Sequence, residues 1–533
     1  MIREGRLAGT GVLSLIALKR DFVRLVIWWF AIVGTLAASV PALDQIISTD
    51  AQRAAYAAFM RTPLGVMMAG PGYGLEDLTL GPLVVAEYLQ VVLIAVAMLS
   101  ILTVVRHTRA EEDSGRAELV RAGAVGRESG LAAAATLLVG INLLIGAGIS
   151  AALAATGLGG ADAFAMGLGV ALTGIAFGGI AAVTSQFFSQ ARSASGSAFY
   201  VMTALFVART FGDIADVAAL SWISPFAWTQ RLRLYADLRW WPLALYLVVI
   251  VISFGSAFAH QSQRDLGAGL MAARSGKANA SPLLRGPISL LCKLQRGAVF
   301  GWSIGIFLSV FLIGLAANSI QDLIASSPEL LVVLGGDVEN LFNGYFALLI
   351  NYVSMAAAGF AIASALMMRS QEEAGLAGMA LADGISRWRW FGAGIITTIL
   401  GTTVLMLIGG LGLGLSAWYV DGDSNWMATM LVAAIAQLPA PLVFAGFAFL
   451  LAGLLPRRTG IVWGIFGIAA LISSFGAMFD FPNWTLDLSP FEFLAKLPLE
   501  DFELMPVLVI SALATLFAFV GMAAFRRRDL TEG

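Results

Sequence analysis

The sequence predicts an all-α integral membrane protein of about twelve transmembrane helices, arranged as two parallel six-helix repeats. Composition, the sorting of charge between loops, and self-similarity at half-chain spacing each point there. Of 533 residues, 59% are hydrophobic and only 12% charged, and the mean hydropathy is +0.85; water-soluble domains do not reach such values. Apolar runs of about 20 residues, enough to cross ~30 Å of hydrocarbon, recur from end to end. The polar gaps between them are too short to fold as domains. Cys292 is the only cysteine, which excludes an intramolecular disulfide and argues against a cysteine-based metal site.

Hydropathy places spans near 25–47, 83–105, 131–156, 163–187, 197–218, 241–260, 298–320, 344–368, 391–418, 427–455, 459–479 and 505–525. Lys19, Arg20 and Asp21 interrupt the first apolar stretch, and no small-residue cleavage site follows, so a signal peptide is not expected. With the N-terminus inside, the inner segments hold 25 of the 32 Lys and Arg residues and the outer loops hold six. The remaining one, Arg209, lies within the fifth span. Acidic residues run the other way, with 13 inside and 20 outside. This asymmetry predicts that both termini are cytoplasmic. An excess of 28 Arg over 4 Lys, with many Ala and Gly, suits a high-GC bacterial genome and carries no functional weight; the expected location is a bacterial cell (inner) membrane.

The loop after span two, RHTRAEEDSGRAELVRAGAVGR, returns after span eight as RSQEEAGLAGMALADGISR. At a constant spacing of 260, Arg109 matches Arg369, Glu112 matches Glu372, Asp113 matches Glu373, Gly115 matches Gly375 and Arg127 matches Arg387. SPFAW at 224–228 is echoed by SPFEF at 489–493, and QRDLGAG at 263–269 by RRDLTEG at 527–533. The domains are therefore a first half over 1–270, a linker with an interfacial helix over 271–296, and a second half over 297–533. Each acidic segment reads as a short amphipathic helix whose apolar residues, Leu119, Val120, Leu376, Met379 and Leu381, pack upward while its carboxylates face the cytosol. GTGVLSLIALKRDFVRL and LLRGPISLLCKLQRG precede the first span of each half. Each suits either a helix lying in the inner interface or an extension of the span that follows.

A guanidinium inside the membrane is costly unless it is paired or reaches water. Arg209 has Asp213 at i+4, and Glu87 in span two lies at comparable depth. Glu87–Arg209, with Asp213, is expected either to hold an outer gate closed or to serve as a static ion pair. The outer segment around Trp222, Phe226, Trp228, Trp240 and Trp241, and its counterpart with Phe481, Trp484, Phe491 and Phe493, read as an interfacial aromatic belt. His107 and His260 stand alone, so no metal is expected.

Interfacial helix, acidic R-x-x-E-[DE]-x-G loop with a closing Arg, four further spans, and an SPF segment before the sixth together resemble the type-2 ATP-binding-cassette exporter permeases. Within them the chain is most similar to the fused twelve-span polyketide-antibiotic (tetronasin-like) exporters of actinobacteria. The resemblance implies coupling helices at 111–122 and 371–382, with Glu111, Glu112, Asp113, Arg116, Glu118, Glu372, Glu373 and Leu376 meeting two copies of a nucleotide-binding subunit. It implies a cargo path between the halves and efflux of hydrophobic or amphipathic antibiotics or drugs, with lipid export as the sibling activity. No G-x-x-x-x-G-K-[ST] occurs. The chain is thus expected to be no enzyme and to bind no cofactor, with ATP and Mg held by the partner subunit. Its other expected partners are membrane lipid and the cargo; nucleic acid is not among them. An ion-coupled secondary transporter is the alternative, disfavoured because midplane titratable groups are almost absent outside Glu87 and Arg209. A lipid-acting intramembrane enzyme would want clustered His, Asp, Glu or Ser groups, which the sequence lacks.

Overall fold

The computed structural model describes residues 5–529 apart from 124, 266, 272–278, 280, 283, 316, 318–337 and 476–481. Over these residues the chain is helical, with no strand. Much of the predicted linker, Phe481 and the last four residues of RRDLTEG lie outside the described residues. The chain divides into two compact units, Met1–Gly276 and Lys277–Gly533.

In the first unit, α1 (Thr10–Trp29) passes through a π-helical turn at Phe30–Gly34 into α2 (Thr35–Ile46). The segment before the first span is therefore an extension of that span, because nothing in it breaks a helix. Two short helices follow, α3 (Asp50–Met60) and α4 (Pro63–Ala69). Thr49 and Gln52 form a capping box on α3. Thr62 accepts from the Gly65 amide at the start of α4, where Pro63 occupies the position that has no amide to lose. The long helix α5 (Leu80–His107) leads to the short α6 (Arg109–Asp113) and α7 (Arg116–Arg121). Then come α8 (Ser129–Ala155), α9 (Ala161–Phe187), α10 (Ala191–Ile214), α11 (Ala218–Trp222), α12 (Pro225–Gln230) and α13 (Leu243–Gln261). Small residues make α9 the centre of this unit, packed against α5, α8 and α13.

The second unit comprises α14 (Pro287–Gly314), α15 (Val338–Glu373), α16 (Leu376–Ala382), α17 (Arg387–Asp421), α18 (Asn425–Ala436) and α19 (Pro439–Leu454). It ends with α20 (Ile461–Phe475), α21 (Asn483–Leu486), α22 (Pro490–Phe493) and α23 (Leu504–Arg527). Packing partners recur between the units. The pairs α1 with α8, α5 with α9 and α9 with α13 return as α14 with α17, α15 with α19 and α19 with α23.

Ten helical stretches among the described residues are long and apolar enough to cross a membrane. The predicted fifth and eleventh spans fall on α10 and α20. Of these, α10 is diluted by Arg192, Arg209 and Asp213, and α20 has only 15 described residues. Helices α19 and α23 approach backbone to backbone. A Cβ at Gly453 would run into the Gly521 backbone, and one at Gly521 into Phe449 and Leu450. Gly453→Val is accordingly expected to push the two helices apart and to cost about 3 kcal/mol, read as a lowered unfolding midpoint of the full chain in detergent. Wild-type stability in that variant would refute the close approach.

Candidate functional site

The echoed residues converge at one end of each unit. In the first, α6 ends because Gly115 adopts a left-handed conformation, φ +73°, which only glycine takes cheaply. This turn carries Glu112 inward. Its side chain is only 7% exposed and accepts two bonds from Arg264, Nη1 to Oε2 at 2.9 Å and Nη2 to Oε1 at 2.6 Å. Arg109, fully buried, donates to the same carboxylate at 2.7 Å. Its Nε donates to the Ser185 carbonyl and its Nη2 to the Ala268 carbonyl, the latter at 2.9 Å. Arg127 closes the arrangement by donating to the Arg264 carbonyl at 2.6 Å.

The second unit repeats this clasp. Glu372, 3% exposed, accepts from Arg528 at 2.6 and 2.5 Å. Arg369 lies 3.3 Å from it, and Arg387 donates to the Arg528 carbonyl at 2.6 Å. Gly375 has φ +72° where Gly115 has +73°. The acidic loop and the RDL echo, separate in sequence, are thus two parts of one buried cluster in each unit. Bidentate guanidinium–carboxylate geometry fixes both distance and angle.

These findings correct the expected coupling elements. Neither 111–122 nor 371–382 is a single helix, since Gly115 and Gly375 divide each. Glu112 and Glu372 do not face solvent; they anchor the loop. Leu119 is 77% and Met379 62% exposed, and Val120 and Leu376 are exposed as well. Four of the five apolar residues expected to pack inward are therefore exposed, whereas Leu381 packs on the core of the second unit as expected and Ala377 is the buried residue of α16. The remaining expected residues are spread around this surface. Glu111 pairs with Arg20 at 2.6 Å and with Arg116 at 3.5 Å. Asp113 accepts from the Ala191 amide at 2.7 Å. Glu118 is exposed, and Glu373 pairs with Arg369 at 2.9 Å.

His107 is not alone. Its Nε2 lies 3.0 Å from Asp21 Oδ2 and its Nδ1 3.1 Å from Arg20 Nη2. A guanidinium on Nδ1 and a carboxylate on Nε2 assign the neutral tautomer with the proton on Nε2. Asp21 is buried and also accepts from Arg24 at 3.2 Å and Arg106 at 3.0 Å. This cluster ties α1 to the end of α5. Asp21, Arg264 and Arg528 were not singled out from sequence; for the two arginines the RDL echo was the available signal.

At the other end of the first unit, Glu87 and Arg209 do not form the expected pair. Glu87 Oε2 accepts from Tyr56 Oη at 2.6 Å. Burial, and then the neighbouring Glu87 carboxylate, push the Tyr56 phenol far above its usual pKa. Arg209 has a nearer carboxylate on its own helix, Asp213 at 3.0 Å. It also donates to Gln230 Oε1 at 3.1 Å and to the Met67 carbonyl at 2.8 Å. Asp213 further accepts from Ser221 at 2.6 Å and Arg231 at 3.2 Å, while Gln230 reaches Gln90 at 3.0 Å. Arg209 is thereby a post that fixes α4 and α12 to α10. In the second unit Asn351, Ser473 and Glu492 form a smaller network, with Ser473 Oγ donating to Glu492 at 2.5 Å.

The aromatic belt is corrected in part. Phe226 and Phe491 are fully buried at matching positions of the SPF echo. Phe226 packs on Phe177 with ring centroids 4.9 Å apart, and Phe491 on Phe444 at 5.3 Å. Trp228 is also buried, its indole donating to the Trp222 carbonyl at 2.7 Å. Trp222 is half-buried and stacks on Trp241. Among the described residues Trp484, 67% exposed, and Trp240 and Trp241, 44% and 55% exposed, sit as belt residues would.

A family model described as multidrug efflux system permease Rv1217c, C-terminal domain, matches residues 30–260 and 284–526. The multidrug efflux system permease protein Rv1217c of Mycobacterium tuberculosis (strain ATCC 25618 / H37Rv) is similar to this chain, 34% identical over 529 residues that make up 98% of the chain and 95% of that relative.

Proposed function

The chain belongs to the Rv1217c family of multidrug efflux permeases, and from that premise we propose that it is the membrane subunit of an ATP-binding-cassette exporter of hydrophobic or amphipathic compounds. Two copies of a separate nucleotide-binding subunit, which hold ATP and Mg, drive it. Helices α10 and α20 complete twelve spans, and both termini are cytoplasmic, on the side of the two clasps. Its cargo is of the class handled by the tetronasin-like polyketide-antibiotic exporters.

The observation that carries this reading is the duplicated clasp with its outward apolar helix. Glu112 and Glu372 hold α7 and α16 rigidly, and each helix presents large apolar side chains that the permease itself leaves uncovered. Exposed Leu and Met beside charged residues make a docking knob for a groove on a partner protein. Met379→Glu tests it, since the site is exposed and the substitution should change stability by less than about 0.5 kcal/mol. Co-purification of the ATPase with the permease is expected to fall at least about tenfold, as burying one uncompensated charge in an interface predicts. Full capture by a folded Met379→Glu/Leu119→Glu double variant would sink the docking role of α7 and α16.

A further inference from the structure

Beneath α7 in the first unit lies a cavity of about 170 Å³, more than five times the ~30 Å³ that one water occupies. One wall is apolar, built from Leu13 and Ile16 of α1 and Leu131 and Ala134 of α8. The facing wall carries Arg121, Arg127 and Arg264 together with Glu112. Glu112 is already engaged by Arg109 and Arg264, and the other carboxylate on the wall, Glu111, belongs to Arg20 and Arg116. Arg121 and Arg127 have no carboxylate within ion-pair distance among the described residues; Arg121 donates only to the Arg127 carbonyl and Arg127 only to the Arg264 carbonyl. Gln261, buried beside them, donates its Nε2 to the Arg127 carbonyl at 3.2 Å and adds no charge. The cavity thus combines surplus positive charge and an apolar side at the foot of two membrane-spanning helices.

We propose that this cavity binds the head of an anionic glycerophospholipid, with the phosphate on Arg121 and Arg127. The acyl chains run along the apolar face of α1, where Val12, Leu15 and Ile16 are exposed. Basic pockets between transmembrane helices recognise anionic lipid heads through this combination of charge and adjoining hydrocarbon. Burial lowers the Arg121 pKa, opposed first by Glu112 and reinforced by Arg127 and Arg264, so a bound anion relieves a crowd of like charges. Because α7 forms the roof, an occupied site braces the element that carries Leu119 and Val120, and lipid composition sets how firmly that element is held. Lipid binding is independent of the ATPase, so its failure leaves the efflux reading untouched.

The test is native mass spectrometry of the detergent-solubilised full chain, titrated with phosphatidylglycerol, phosphatidylcholine and phosphatidic acid of identical acyl chains, with inorganic phosphate as a separate arm. Wild-type protein is expected to bind phosphatidylglycerol at least about tenfold more tightly than phosphatidylcholine, the worth of one charge-assisted contact. Arg121→Gln should erase most of that preference, while Arg116→Gln, on the same helix but outside the cavity, should retain it. Phosphatidic acid, which carries the same phosphate, should share the anionic preference and lose it in Arg121→Gln. Equal binding of anionic and zwitterionic lipid by wild type, or an undiminished preference in Arg121→Gln, overturns the proposal. Displacement of phosphatidylglycerol by millimolar inorganic phosphate would assign the site to free phosphate and overturn it as well.

Discussion

Glu112→Ala is expected to lower the stability of the full chain by about 3–5 kcal/mol, because it leaves two buried guanidiniums without their carboxylate. Arg109 has no exposed surface, and Arg264 commits two of its donors to Glu112. Glu112→Gln should recover less than half of the loss, since an amide offers one acceptor oxygen where the clasp uses two. In a double-mutant cycle with Arg264→Met, a coupling energy above about 1 kcal/mol is expected, as for contacting members of one network. Glu372→Ala should behave alike, with Arg528→Met as its partner. Functional readout separates a brace from a mere fold element. In variants kept folded, ATP hydrolysis by the proposed exporter complex should persist while cargo transport collapses, because the element proposed to meet the ATPase is no longer fastened to α13 or α23. A cost below about 1 kcal/mol for both glutamates, or transport that tracks residual stability alone, would remove this role.

Arg209→Met carries the second largest expected effect, about 3 kcal/mol. The substitution strands buried Asp213 beside Arg231 and Ser221 and leaves Gln230 Oε1 and the Met67 carbonyl without their donor. Arg209→Lys should restore less than half, because an ammonium cannot present the planar fork that reaches a carboxylate, an amide and a carbonyl at once. The damage should be local. Limited proteolysis is expected to cut residues 61–79 in Arg209→Met under conditions where the wild type resists, since α4 is held to α10 through this guanidinium. Resistance equal to the wild type, in a variant of unchanged stability, would show that Arg209 is not the fastening.

The residues of the clasp were legible in the sequence as a repeat, and its geometry was not. Arg109, Glu112 and Arg127 recur at 260 residues' spacing, which identified a structural unit used twice. That Glu112 meets Arg264, 152 residues away, follows only once α5 and α13 have both packed on α9, and no local pattern encodes that arrangement. Gly115 and Gly375 were quoted as matching positions, yet a glycine ending an acidic turn is itself a helix-stop signal, and reading it so would have divided the amphipathic helix correctly. The Glu87–Arg209 expectation erred because charge was matched to charge while the neutral donor Tyr56 and the i+4 partner Asp213 stood closer. Phe226 and Phe491 show another limit. Hydropathy locates aromatic residues near a membrane surface but does not tell a ring that plugs a helix bundle from one that faces lipid. Helical content and most spans were readable because the bilayer demands long apolar runs. The predicted fifth span falls on α10, which is not among the ten membrane-capable stretches because Arg192, Arg209 and Asp213 dilute it.

At the spacing that relates Arg264 to Arg528, Arg209 corresponds to Ser473, so one half of the molecule carries a cationic post where the other carries a hydroxyl facing Glu492. When Lys19 and Lys293 of the two pre-span segments are matched, a spacing of 274, Asp21 with its arginines has a neutral counterpart in Gln295, which accepts from Ser364 at 2.9 Å. A transporter assembled from two identical chains would have to install both ionic fixtures twice or forgo them. Two unlike units in one chain escape that symmetry, and a chimera built from two copies of either half should inherit the shared clasp while losing the division of labour.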